Sequence, residues 1–282
     1  MAAQMHRRAV LASALAVGTA AATGLRPASA QAALPVVDME LLLLAAQINP
    51  VQQGTPIWPG AGESVRLVEQ ALADRGLLRA RYVDGHFGTA SIDAYAQWQK
   101  SLGHSGLAAN GLPGVASLTT LGSGRFTLSR VVRPGSRVSW RGYPFNTRTV
   151  DMLLEAERLC GLTFAVDQGS YSPGTDPTSA GTHDGGGTAD LDADALTRAQ
   201  RTSALVALRS VGFAAWLRTP AQHPAWPYHL HVVAGNDTDL ARPAQQQIGQ
   251  YYLGRNGLSG QGPDDGPQVE KLTWEQYLRN RG

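Results

Sequence analysis

The spacing of hydrophobic residues changes along this chain, and the change limits the folds open to it. Up to about residue 122 these residues recur at helical intervals, as in Val65, Val68 and Leu72. From about residue 145 helical stretches alternate with strand-like stretches, as around Phe164. An all-helical segment followed by mixed helices and strands predicts an α+β protein, with a small three-helix module and an α+β domain whose sheet is mostly antiparallel.

The helical segment spans residues 63–122 and is predicted to contain three short helices. They begin near Glu63, Thr89 and Val115, and glycines end the first and the last of them. The run Asp84-Gly85-His86-Phe87-Gly88 is typical of a turn between the first two helices. Residues 31–60 contain an apolar run and turn residues, and we assign no domain to them.

The second domain is predicted over residues 128–240. Asn146 or Thr147 is expected to cap a helix that runs to Leu159, and a further helix is expected over residues 196–211. Strands are predicted at residues 162–167, 188–191, 213–217 and 228–233. Residues 241–282 carry two weaker helical patterns and are treated as a C-terminal extension of unknown role.

The first thirty residues have the features of an export signal. A basic start that includes Arg7 and Arg8 precedes an apolar run to about Thr23, and Ala28-Ser29-Ala30 resembles a cleavage site. The paired arginines match the twin-arginine route loosely. We expect a secreted or wall-associated protein without stable membrane insertion after signal removal. The alternative is an uncleaved anchor.

Charge and cysteine content exclude other classes. The chain has 24 basic and 22 acidic residues, but Arg7, Arg8 and Arg26 fall in the signal, so the remainder has 21 basic residues and a net charge of −1. Nothing in that charge balance argues for nucleic-acid binding, and we expect no nucleic-acid partner. Cys160 is the only cysteine, so no internal disulfide forms, and we interpret it as a structural thiol.

Two short motifs carry the chemistry. His229 and His231 flank one residue in an apolar run, and alternate residues of a strand project from the same face. His183 precedes Asp190 by seven positions. The glycine-rich bend between them can bring the imidazole and the carboxylate to one centre. Two histidines and one carboxylate meet the three-ligand count of a hydrolytic zinc site. His223 lies in a Pro-flanked loop, and we interpret it as solvated.

The helical module resembles the peptidoglycan-binding domain that accompanies many cell-wall hydrolases. The resemblance covers about sixty residues, and its recurrent positions include Asp84-Gly85-x-Phe87-Gly88, Trp98-Gln99, Gly111 and Leu121-Gly122. It implies peptidoglycan as the partner. Most of these positions are core and turn residues, so they identify a module without naming its ligand contacts.

The second domain resembles the zinc D-alanyl-D-alanine carboxypeptidases and their relatives of the lysostaphin and hedgehog type. That group pairs a His-x6-Asp motif with His-x-His. By position, the resemblance implies zinc ligands His183, Asp190 and His231, and a proton-transfer or oxyanion-orienting role for His229. It also implies that polar residues after a strand position the substrate, here Gln168, Ser170 and Tyr171.

This chain departs from the family pattern at three positions. One is Thr188, which stands near the aspartate where the family commonly has alanine. Gly181 stands where a serine often precedes the first histidine, and Tyr228 stands where some members have an acid. The identity of the general base is therefore the least constrained role. The expected function is an exported zinc peptidase that cleaves stem peptides, as a carboxypeptidase or an endopeptidase. The alternatives are a non-catalytic wall-binding protein with a vestigial zinc site and a zinc-dependent wall amidase.

Overall fold

The computed structural model describes residues 33–282. The predicted export signal lies outside the described residues and stays a prediction. The helices are α1 (Met39–Ile48), α2 (Gly62–Ala73), α3 (Thr89–Ser101), α4 (Val115–Leu121), α5 (Thr147–Cys160), α6 (Arg198–Ser210), α7 (Arg242–Tyr252) and α8 (Trp274–Arg281). The strands are β1 (Val36–Asp38), β2 (Thr127–Ser129), β3 (Arg137–Trp140), β4 (Tyr143–Asn146), β5 (Val166–Gln168), β6 (Thr188–Asp192), β7 (Phe213–Arg218) and β8 (His229–Ala234).

Helices α2, α3 and α4 lie where the helical spacing of hydrophobic residues places them. Leu72, Tyr95 and Leu118, one from each helix, are fully buried in a common core. The turn after α2 is held from within, because the buried Glu69 carboxylate accepts hydrogen bonds from two backbone N–H groups at 3.1 and 2.9 Å. One of those groups belongs to Gly85, whose φ of +88° requires the freedom of glycine.

The segment before these helices is structured too. Asp38 caps α1 by accepting a hydrogen bond from the N–H of Leu41, and nearly every residue of α1 is buried. Strand β1 pairs in parallel with β2, which follows α4. A helix buried on all sides lacks the polar face that gives the usual amphipathic period. For that reason the sequence pattern led us to assign no domain to residues 31–60.

The main sheet has four strands in the order β5-β6-β8-β7, and all its neighbours are antiparallel. Side chains alternate between its faces. One face is apolar, with Leu191 of β6, Ala215 of β7 and Leu230 of β8 buried against α5 and α6. This arrangement confirms the predicted α+β class with a mostly antiparallel main sheet.

The opposite face of the sheet divides into an apolar and a polar half. Ala214 and Val233 join a core that contains Ile248 of α7 and continues into α1 and α2. Residues 34–282 form one compact unit. Helix α7 belongs to the segment that the sequence treats as an extension, and it packs between the sheet and α1.

The C-terminal helix α8 is attached by buried polar groups. Arg279 and the Thr273 hydroxyl both bind the Glu40 carboxylate, which is almost fully buried on α1. The Tyr277 hydroxyl donates to Glu155 of α5. These contacts join both ends of the described chain, since Glu40 and Arg279 are far apart in sequence.

Two strand predictions differ from the structure. The strand expected over residues 162–167 begins only at Val166, because the Phe164 N–H donates to the Glu157 carboxylate rather than to a neighbouring strand. The hairpin of β3 and β4 was not predicted. Asn146 is confirmed as the α5 cap, since its side chain accepts a hydrogen bond from the Thr149 N–H.

Within residues 33–282, no helix combines the length and the hydrophobicity that crossing a bilayer requires.

Candidate metal centre

The polar half of the sheet face gathers the predicted ligands from neighbouring strands. Asp190 of β6 pairs with His231 of β8, which pairs in turn with Trp216 of β7. Residues directly opposite one another in antiparallel strands share a face. In the next row, His229 is opposite Arg218. The alternation of these short strands therefore places a carboxylate and two imidazoles side by side.

His183 reaches the same point from a loop. A long loop follows β5, and the chain enters β6 through Gly185, Gly186 and Gly187. A Cβ on Gly185 would lie 2.3 Å from backbone atoms just before α7, so only glycine permits this approach. The return path turns the His183 ring, which is fully buried, toward Asp190.

The His–Asp–His centre (His183, Asp190 and His231) is tightly clustered. The Asp190 carboxylate lies 3.3 Å from His183 Nε2 through one oxygen and 2.7 Å from His231 Nδ1 through the other. The three donor atoms all lie within 4.8 Å of one another. Such a spacing suits ligands that share one ion.

Hydrogen bonds outside the centre fix the histidine tautomers. His183 Nδ1 lies 3.0 Å from the carbonyl oxygen of Gly169, and a carbonyl oxygen can only accept. His231 Nε2 lies 2.9 Å from Oε1 of Gln247, whose amide nitrogen donates to the carbonyl of Gly257 and so faces away. In the neutral rings, the unprotonated nitrogens are therefore His183 Nε2 and His231 Nδ1, which both face the carboxylate.

With both rings neutral, three electron-pair donors thus converge without a hydrogen between them. His183 Nε2 is buried and has no hydrogen-bond partner. Facing lone pairs repel one another unless a proton or a cation lies between them. The outward hydrogen bonds of both imidazoles are those that orient histidines in metal sites. The residues present therefore fit a metal, and the buried His–Asp–His centre can hold one.

Burial and the mutual influence of Asp190 and the two imidazoles determine the electrostatics of the centre. Burial alone would raise the pKa of Asp190, but the two neighbouring imidazoles outweigh it and hold that pKa well below its usual range. Burial alone would lower the pKa of His183, yet the Asp190 carboxylate raises it above its usual value. Burial dominates at His231 and lowers its pKa. The centre thus keeps an anionic carboxylate at its middle.

His229 stands beside the centre with a free acceptor. Its Nδ1 lies 3.0 Å from the carbonyl oxygen of Pro227, so that nitrogen carries the hydrogen. Its Nε2 lies 3.9 Å from Asp190, too far for a hydrogen bond. The ring is 7% exposed and packs edge-on against Trp226. In the neutral ring, His229 therefore directs its acceptor nitrogen, Nε2, toward the centre.

The centre lies in the wall of a cleft of about 930 Å³. One side of the cleft is the loop after β5, and the other is the loop between β7 and β8. Trp226 joins the two loops by donating from its indole N–H to the Thr178 hydroxyl at 3.0 Å. A cleft of this size accommodates a short peptide.

The residues predicted to position the substrate differ in whether they reach the cleft. Gln168 and Tyr171 line the cleft. Ser170 is fully buried, and its hydroxyl both donates to the carbonyl of Thr188 and accepts from its N–H. The Tyr171 hydroxyl donates to Asp239 at 2.7 Å. His223, expected in solvent, is partly buried on the wall of the cleft.

Several groups of the site carry no sequence signature. Gln247 comes from α7 and Gly169 contributes only a carbonyl, so neither stands out in the sequence. Arg218 is the last residue of β7 and is 2% exposed. Burial lowers the pKa of its guanidinium to about 10, which leaves it charged at neutral pH. Cys160 lies away from the centre at the end of α5, and burial raises its thiol pKa.

Comparison with protein-family models, with curated proteins and with solved structures finds no match for this chain.

Proposed function

We propose that this protein is a peptidoglycan hydrolase, a zinc-dependent peptidase that cleaves the stem peptides of the cell wall. The observation that carries the proposal is the convergence of two imidazole lone pairs and one carboxylate in the wall of a peptide-sized cleft, with a third imidazole beside them. Hydrolytic zinc sites use this ligand set and keep a position open for water.

Zinc is the metal that best suits these ligands. Imidazole nitrogen is a borderline ligand that favours zinc over magnesium and calcium, which prefer oxygen. The centre offers two nitrogens and one carboxylate, and no thiolate lies in it. Zinc bound there would supply Lewis acidity, lowering the pKa of a water molecule and polarising the scissile carbonyl.

The protein residues supply the proton handling and the positioning. His229 would accept a proton at Nε2, because Nδ1 keeps its hydrogen bond to Pro227. The same nitrogen would then return the proton to the leaving amine. Trp226 packs edge-on against the His229 ring, and its indole N–H donates to the Thr178 hydroxyl on the opposite loop of the cleft. Gln168 offers a polar side chain to the substrate from the end of β5.

The helical segment would bind the insoluble wall. This part of the proposal rests on the resemblance of residues 63–122 to peptidoglycan-binding domains, and the turn that carries much of it is held in place by Glu69. Sedimentation of the full chain with purified wall, before and after chelation, tests it. We expect binding to survive metal removal. Loss of binding on chelation would place wall recognition in the cleft instead.

Digestion of purified peptidoglycan with mass analysis of the products tests the catalytic proposal. We expect new peptide termini within the stem and no activity from His183→Ala. His104→Ala is the matched control, since His104 is exposed on the helical segment. Release of whole stems from the sugar would identify an amidase. Absence of any product from a zinc-loaded protein would identify a non-catalytic wall-binding protein.

A further inference from the structure

Tyr171 lines the cleft, but its hydroxyl is bonded within the protein. The hydroxyl donates to the Asp239 carboxylate at 2.7 Å and accepts from the Asn146 amide at 3.4 Å. Asp239 and Asn146 both lie outside the wall of the cleft. A phenol hydroxyl has one hydrogen to donate, so Tyr171 has no donor left for a substrate.

The acceptor of the Tyr171 hydroxyl is itself held by buried groups. The Asp239 backbone N–H donates to the Asp237 carboxylate at 2.8 Å, and the Asn146 amide donates to the same carboxylate at 2.6 Å. Asp237 and Asn146 are fully buried. Burial and the carboxylates of Asp237 and Asp239 hold the pKa of Tyr171 above its usual range, so the hydroxyl keeps its hydrogen.

The backbone of Tyr171 is in a conformation that needs support. Its φ is +53°, in the left-handed region that few residues with a bulky side chain adopt. Such a conformation persists where surrounding contacts impose it. Here the contacts are the hydroxyl bond to Asp239 and the Arg137 guanidinium, which lies 3.9 Å from the centre of the Tyr171 ring. Without the hydroxyl bond, the backbone at Tyr171 is free to relax and to move the residues beside it.

The segment that contains Tyr171 also holds His183. The Gly169 carbonyl accepts the hydrogen bond of His183 Nδ1 at 3.0 Å, and the Ser172 N–H donates to the His183 carbonyl at 3.0 Å. The Tyr171 N–H donates to the carbonyl of Gly185 at 2.8 Å. Both the ring and the backbone of His183 are therefore attached to residues on either side of Tyr171.

We infer that Tyr171 is a positioning residue for the metal ligand His183, and that it does not act by binding the substrate. The hydroxyl bond to Asp239 fixes the backbone from which Gly169 and Ser172 bind His183. The inference rests on the proposed function for the metal that His183 would hold. Groups that orient a metal ligand from outside act on metal affinity as well as on activity.

Tyr171→Phe tests the inference because it removes only the hydroxyl. Competition with a chromophoric chelator on the full chain measures zinc affinity, which we expect to fall by about 10–100-fold. The absorption spectrum of the cobalt-substituted chain reports the ligand geometry, and we expect it to change. Tyr143→Phe, which removes the hydroxyl of another tyrosine in the cleft wall, is the matched control and should keep the wild-type affinity and spectrum.

Variants of Asp239 show whether the hydroxyl acts through this carboxylate. Asp239→Ala removes the acceptor, so its zinc affinity should fall as in Tyr171→Phe, and the double variant should be no weaker than the weaker single variant. Asp239→Asn keeps an oxygen that accepts from the hydroxyl, so most of the affinity should return. Losses that add in the double variant would show that the two residues act separately, and would overturn the inference.

The outcomes separate this inference from the proposed function. Wild-type zinc affinity and cobalt spectrum in Tyr171→Phe would overturn the positioning role, whether the variant unfolds in less urea or binds wall peptides less tightly. Weaker zinc binding in Tyr171→Phe, together with a zinc-loaded wild type that cleaves no wall peptide, would contradict the peptidase and leave the positioning role standing. A folded wild type that binds neither zinc nor cobalt would contradict both.

Discussion

Each histidine at the site directs one ring N–H away from Asp190. The acceptors are the carbonyls of Gly169 and Pro227 and the side chain of Gln247. The remaining ring nitrogens face inward as electron-pair donors. Hydrogen bonds outside the centre thus set the tautomer of every ring. The three histidines then differ only in their distance from Asp190. His229 is too far from Asp190 to form a hydrogen bond with it.

His229→Ala separates proton transfer from metal binding. We expect the variant to keep its zinc and its fold, since His229 is not needed to complete a three-ligand shell. Hydrolysis of wall peptides should fall by about 10²–10⁴-fold, the usual contribution of a positioned acid or base. Zinc content and product formation are measured on the same preparation. Loss of zinc would make His229 a ligand.

Gln247→Leu tests the outward hydrogen bond of His231. The change removes the acceptor for Nε2–H, so the ring is free to rotate or to change tautomer, and zinc affinity should fall by about 10–100-fold. Competition with a chromophoric chelator measures the affinity. Gln246→Leu is the matched control, because that neighbouring side chain is exposed on α7. Equal affinities in the two variants would show that Gln247 does not orient the ligand.

Sequence spacing could name the ligands but not their supports. His183, Asp190 and His231 are recognisable because two motifs have characteristic intervals, and the structure brings all three to one point. Gln247 and Arg218 come from elements whose place at the site depends on tertiary packing, which no local pattern encodes. The hydroxyl of Ser170 lies in a polar run next to β5, and only the structure shows it bonded to the Thr188 backbone.

At the scale of elements, the order of the strands in the main sheet matters more for the site than the length of any one strand. Strands β6, β7 and β8 lie close to the predicted segments, although only β6 alternates clearly between apolar and polar residues and β7 is apolar up to its last residue. Strand β5 is shorter than predicted, since a side chain from α5 binds the backbone ahead of it. The alternation of apolar and polar residues predicts the sheet face on which a side chain lies. It does not predict which group accepts the hydrogen bond of the backbone N–H.

The buried Glu69 of α2 makes stability depend on pH. Burial raises its pKa to about 7, although hydrogen bonds from the Gly85 N–H and the Ser91 hydroxyl oppose the shift. An acid that is harder to ionise in the folded chain binds its proton more tightly there. The contribution of Glu69 to stability should therefore be greatest below the unfolded-state pKa and fall by about 1–3 kcal/mol as pH rises from about 4.5 to about 7.

Glu69→Gln isolates that contribution. The amide oxygen can accept the backbone hydrogen bonds and the amide nitrogen can face Ser91, so the turn is kept while the titration is removed. Urea unfolding of both proteins at about pH 5 and about pH 8 gives the comparison. The difference in stability between wild type and variant should change with pH. A constant difference would mean that Glu69 does not titrate in this range.

At the scale of the molecule, the helical segment and the sheet share one core. Helix α7 packs against both α1 and the sheet, and the core that begins in α1 continues to Trp216 and Val233. Contacts between α1 and α7 join residues about two hundred positions apart. Local patterns predict the elements on each side, but a contact of that sequence separation leaves no periodic signature.

A shared core predicts cooperative unfolding. We expect calorimetry of the full chain to show one main transition rather than separate helical and sheet transitions. Ile248→Ala removes a fully buried side chain between α7 and its neighbours, so it should cost about 2–5 kcal/mol and shift the whole transition. Two transitions, of which only one moves, would contradict this and show that the halves fold independently.

The account as a whole depends on the His–Asp–His centre holding zinc, and metal analysis of the purified full chain measures that directly. We predict about one zinc per chain, lost in His183→Ala and in His231→Ala and kept in His104→Ala. Circular dichroism of each variant confirms that the fold persists. Zinc content unchanged in both ligand variants, or absent from a folded wild type supplied with zinc, would contradict the account.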